Sequence, residues 1–162
     1  MSMQVLKFGG VVAVLLAASP VYAIDVCGLA SRAEAAAVVG QPVAAAIPAG
    51  PQQDEDSPGR LSYCTYRAAK AGLIISVVEF SSAAEARKQA TVHLVEAHSD
   101  GAKVVEEKGV GERTFWALSA QGASYTFLKG ARVVAVAAGG VGQPAQRKDA
   151  LRALASAVAK KL

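Results

Sequence analysis

Residues able to do chemistry are few in this 162-residue chain, and their spacing keeps most of them apart. The two histidines, His93 and His98, stand five positions apart in a stretch of helical rhythm. A helical residue turns about 100°, so the two rings point roughly 140° apart and cannot grip one metal as an i, i+4 pair does. Both read as partly exposed surface histidines. Glu106 and Glu107 are adjacent carboxylates in a strand-like run. Strand alternation sends them to opposite faces, whereas paired acid–base work needs two carboxyl groups flanking one bond. Asp54-Glu55-Asp56 lacks the regular spacing and closing glutamate of a calcium loop and reads as a solvated loop. Gly109-Val110-Gly111 has neither the third glycine nor the βαβ setting of a nucleotide fingerprint. Gly139-Gly140-Val141-Gly142 precedes a helix, but no lysine–serine or lysine–threonine pair follows, so it reads as a loop. With no nucleophile set beside a base and an orienting group, the expectation is no catalytic residue, no metal ligand and no cofactor.

Two features could mediate binding. The last stretch carries Arg147, Lys148, Arg152, Lys160 and Lys161 against Asp149, a local charge of +4. Such a helix could touch an anionic lipid or wall surface, although a charged solvent face is what most surface helices show. The second feature is aromatic: Phe115 and Trp116 are neighbours on a strand and point opposite ways. An exposed Trp116 with Tyr125 could line a groove, although aromatic residues in strands are usually core. The candidate binding residues are therefore Trp116, Tyr125, Arg147, Lys148 and Arg152.

The elements that must position these residues begin after a secretory signal. Lys7 supplies a positive start, Phe8 to Ala18 is an uncharged apolar run of 11 residues, and Val21-Tyr22-Ala23 offers a small-residue cleavage site. A membrane-spanning helix needs about 20 apolar residues, so residues 1–23 read as a signal peptide and residues 24–162 as a single domain. No later segment is long enough to span, because Arg132 and nearby glycines interrupt the best candidate. Cys27 lies four residues past Ala23 behind Ile24-Asp25-Val26, without the small residues that lipid attachment needs. Past the signal, 16 basic and 13 acidic residues remain, a net +3 that argues against nucleic acid as a partner. Cys27 and Cys64 are the only cysteines. In an exported chain the expectation is one disulfide between them, ahead of a metal site or two free thiols.

Ser31-Arg32-Ala33-Glu34 is a capping box opening a helix that Gly40 ends. Val43 to Ile47 could be an edge strand limited by Pro48, and Gly50 to Arg60 reads as a loop. Leu61–Tyr66 and Leu73–Phe80 form a hairpin around Lys70-Ala71-Gly72, and the second arm is apolar on both faces. Ser82 to Glu85 repeats the cap, opening a helix to about Ser99 with an alanine-rich stripe of Ala83, Ala86, Ala90, Leu94 and Ala97. A short strand at 103–106 and a meander of 112–118, 123–129 and 132–138 follow. Pro144 opens the last helix, with Leu151, Leu154, Ala155 and Val158 on one stripe. The expected fold is α+β: an antiparallel sheet of about five to six strands, helices packed on one face, in the order helix, strands, helix, strands, helix.

Cys27-Gly28-Leu29 with the alanine-rich helix ending at Gly40, then Ser62-Tyr63-Cys64-Thr65-Tyr66 and Gly109-Val110-Gly111-Glu112, resemble a group of small exported bacterial domains of unknown function, common among actinobacterial envelope lipoproteins. The chain departs from that group in lacking a lipid-attachment cysteine. The resemblance implies an α+β fold with a disulfide and carries no activity. The functional expectation is an exported, periplasmic or extracellular, non-catalytic envelope module that binds a ligand or an envelope protein. The alternatives are an inhibitor of a secreted enzyme and an exported hydrolase.

Overall fold

A computed structural model describes residues 24–140, 142 and 144–162. The expected signal peptide, residues 1–23, lies outside the described residues. The first element is a 3-10 turn, Val26–Leu29, held by Asp25, whose carboxylate accepts the Gly28 amide at 3.1 Å. Helix α1, Arg32–Val39, carries the full capping box: Ser31 Oγ accepts the Glu34 amide and Glu34 returns the bond to the Ser31 amide. Gly40 ends it in the left-handed conformation, φ 75°, which glycine adopts without steric penalty.

Strands β1 (Ile47–Gln53), β2 (Arg60–Arg67) and β3 (Gly72–Glu79) follow, then helix α2 (Ala83–Ser99). Strands β4 (Lys103–Glu107), β5 (Arg113–Leu118), β6 (Gly122–Lys129) and β7 (Arg132–Gly139) precede a 3-10 turn, Pro144–Arg147, and helix α3 (Lys148–Lys161). All strand pairs are antiparallel, in the order β1-β2-β3-β7-β6-β5-β4. The α+β class, the order of helices and strands and the disulfide are as expected.

Two details of the expectation are corrected. The sheet has seven strands rather than five or six, because β1 occupies part of the stretch expected to be a loop. Pro48 and Pro51 lie inside β1, and its register with β2 slips between Ala49 and Gln52. An edge strand pairs on one side only, so it tolerates residues that cannot donate. Val43, expected to belong to that edge strand, is instead buried in the core, and the Ala44 amide donates to the Arg67 carbonyl at 2.7 Å.

The second correction concerns layers. Leu73, Ile75 and Val77 on β3, Val134 and Val136 on β7, and Tyr125 and Phe127 on β6 form one sheet face, packed against α1 and α3. Val78, Val133 and Leu128 lie on the other face, where Ala86 and Ala90 of α2 cover them. Helices therefore pack on both faces rather than one. The reason is the double apolar character of β6 and β7: a strand with large apolar residues on both sides leaves neither side stable in water. Phe115 and Trp116 illustrate it, both buried and each on its own face.

Cys27 and Cys64 form the disulfide, with Cα atoms 5.1 Å apart. The bridge ties the first turn to the second strand. The Tyr66 hydroxyl strengthens the same junction by donating to the Ala30 carbonyl at 2.7 Å, with the Cys27 carbonyl 3.2 Å away.

Candidate functional site

The structure brings four of the five candidate binding residues together around a fifth group that sequence reasoning had set aside. Antiparallel pairing places Val105, Trp116 and Tyr125 in one cross-strand row. Glu107 stands two residues beyond Val105 on the same face and accepts the Tyr125 hydroxyl. From α3, Lys148 forms an ion pair with Glu107 and Arg152 Nη2 reaches it at 2.6 Å. Arg152 Nε also donates to the Tyr125 hydroxyl at 2.9 Å. The Trp116 and Tyr125 rings lie 5.3 Å apart, Lys148 sits 5.9 Å above Trp116, and Arg152 sits 5.8 Å above Tyr125.

Burial pushes the Glu107 carboxyl up, but the bonds from Lys148, Tyr125 and Arg152 outweigh it and hold the group at about 2. Burial and the Glu107 carboxylate push the Tyr125 hydroxyl up to about 12. The hydrogen bonds to Glu107 and Tyr125 raise Arg152 further above its usual value. A carboxylate this firmly ionised is a poor proton donor or acceptor at neutral pH. The cluster is a polar clasp between sheet and last helix.

Of the two readings of Trp116 and Tyr125, core residues or the lining of an exposed groove, the structure has the first: they are 4% and 0% exposed. Their side chains face α3, which seals that side of the sheet. The basic helix is also largely engaged internally. Beyond Lys148 and Arg152, Lys161 donates to the Leu29 carbonyl at 2.8 Å. Arg147 lies over Gly40, so close that a β-carbon there would come within 2.5 Å of its guanidinium. That position, at the carbonyl end of α1, favours a cation.

A groove does exist, on the opposite face. Helix α2 crosses that face over β4, β6 and β7 and packs on Val78 of β3, and leaves the region around Ile74, Gly72, Gly139 and Gly122 open. One cross-strand row, Ile47–Thr65–Ile74–Ala137–Ser124–Ala117, runs across six strands. At about 4.8 Å per strand the row is about 24 Å long. Next to it Gly72, Gly139 and Gly122 pair across β3, β7 and β6, so no side chain rises from the sheet there. The result is a mostly apolar groove of about 920 Å³ on a floor of small residues. The end of α2, with Ala97 and Asp100, and the turns around Lys70 and Gln121 bound it. Ile74 is 44% exposed, a large apolar side chain left uncovered mid-sheet. On that face of β3, α2 covers Val78 and leaves Ile74 open.

The histidines and carboxylates stay apart as the spacing predicts. His93 is half-buried on α2, with Nδ1 3.8 Å from Glu96, while His98 is exposed. Glu106 points away from Glu107 and pairs with Arg113 at 3.0 Å. Among the described residues no group of three or more histidine, cysteine or acidic side chains is placed to hold a metal. No helix among them is long and apolar enough to cross a membrane.

No family model and no curated protein matches the chain. Among solved structures, the extracellular domain of PknH from Mycobacterium tuberculosis is similar at 15% identity and a TM-score of 0.49, over 84% of this chain and 93% of that one.

Proposed function

We propose that the chain is an exported, non-catalytic envelope module that holds its ligand on the open half of the sheet, between the end of α2 and the β2–β3 turn. The observation that carries this reading is the groove of about 920 Å³ with its small-residue floor. Its volume lies in the range of small-molecule sites, and Ile47 and Ile74, 46% and 44% exposed, stand in one cross-strand row beside that floor. The Cys27–Cys64 bridge supports an oxidising compartment, in keeping with a signal peptide cleaved near Ala23. The basic helix is the weaker surface, because Lys148, Arg152 and Lys161 are already committed within the protein.

Chemical-shift mapping with a small library of alkyl, aromatic and sugar compounds tests the site. Perturbations should converge on the amides of Thr65, Ile74, Ser124 and Ala137. Perturbations confined to α3, or none in any compound class, would reject it.

A further inference from the structure

The groove carries opposite charges at its two ends. Arg67 closes β2 on the same face as Thr65, and Lys70 stands in the turn that follows. Among the described residues neither cation has an ion-pair partner, in contrast to Lys148, Arg152, Arg113 and Arg132. The opposite end carries Asp100 and the carbonyl end of α2, which repel an anion. Between the ends lie Ile74, Ala137, Ser124 and Ala117, and beside them the glycine row lets a ligand lie against the backbone. Among the described residues the lining holds no aromatic side chain, so a sugar ring has nothing there to stack on.

We infer that the occupant is a single-chain anionic amphiphile, a free fatty carboxylate, with its alkyl chain along the Ile74–Ala117 row and its head at Arg67 and Lys70. This rests on the groove being the binding site. The chain gains from apolar burial, which is insensitive to the head. The head gains a charge-assisted contact in a wet setting, worth up to about fivefold in affinity for each cation.

The probes are monomeric dodecanoate, below its micelle-forming concentration, and the uncharged methyl dodecanoate, each titrated calorimetrically into the purified protein. Dodecanoate should bind one to one and about tenfold tighter than the ester. Arg67→Gln with Lys70→Gln, which keeps most of each aliphatic stem, should bring the dodecanoate-to-ester affinity ratio to about one; both positions are exposed, so the fold should persist. Equal affinity of the unaltered protein for the two probes would overturn the inference without any variant. Binding of both that Ala137→Trp blocks would then leave the groove standing and only the anionic class lost. Binding to phosphatidylglycerol vesicles without binding of the monomer would also overturn it, in favour of a membrane surface. Silence of both probes would overturn it too, and the shift map would decide separately whether the groove binds anything.

Discussion

Glu107 carries more of this fold's polar bonding than its neighbours do. Its side chain is 12% exposed and meets Lys148, Arg152 and Tyr125, while Glu106 beside it faces water and a single arginine. Replacing Glu107 by Gln leaves two cations facing a neutral amide. Because both cations are partly solvated, the loss is expected at about 2 kcal/mol rather than the larger penalty of a dry ion pair, measured by urea unfolding at pH 7. The pH dependence follows in sign. The folded value of about 2 is below the ordinary 4.5, so the ionised carboxylate favours the folded state. That contribution is complete above about 4.5 and fades as pH falls toward 2. The unaltered protein should lose stability across that window, and Glu107→Gln should flatten the loss. A Gln variant that declines as steeply as the parent would show that other groups dominate. Four members of the cluster were legible by type, since Trp116, Tyr125, Lys148 and Arg152 are large side chains able to bind. Their meeting was not, because Glu107 and Arg152 lie 45 residues apart and no local period links them.

Elements were legible where local chemistry fixes them. The Ser31–Glu34 box, the Gly40 stop and the α3 stripe depend on residues within two turns of each other, and each forms as the spacing predicts. At Ser82 the prediction is half met: its hydroxyl caps Glu85, but the Glu85 carboxylate turns to the Ser81 hydroxyl at 2.6 Å. Strand β1 was less legible because its prolines and glycine match a loop, and only an edge position makes them acceptable. Gly40 joins two elements, since its left-handed backbone ends α1 and its missing β-carbon admits Arg147. Gly40→Ala should therefore cost about 2 kcal/mol, more than the roughly 1 kcal/mol of the backbone effect alone, in thermal or urea unfolding. Removing the bridge with Cys27→Ala and Cys64→Ala frees a loop spanning 37 residues. The chain-entropy estimate for that loop is about 4 kcal/mol, and the variant's urea midpoint should fall accordingly while Tyr66 still tethers the turn. A midpoint within error of the parent would mean that the unfolded chain is already compact there.

At the scale of the molecule, what could not be read was which face each helix takes. The alanine stripe of α2 and the leucine stripe of α3 both say that a sheet is near, and neither says which side. The alternation in β3 gives a direct test of the arrangement. Ile75 is fully buried and Ile74 is 44% exposed. Ile75→Ala should cost about 3 kcal/mol, and Ile74→Ala under about 1 kcal/mol, compared by urea unfolding. Comparable losses would mean that α2 or another segment covers Ile74 after all. The position of β7 has a further effect on how the molecule is completed. It is the last strand made, yet it stands in the middle, between β3 and β6. In the finished sheet β7 alone joins two antiparallel ribbons, β1-β2-β3 and β4-β5-β6, and both cysteines precede it in the chain. In a chain made from its amino end, both thiols are therefore present before the strand that makes the core continuous from one edge of the sheet to the other.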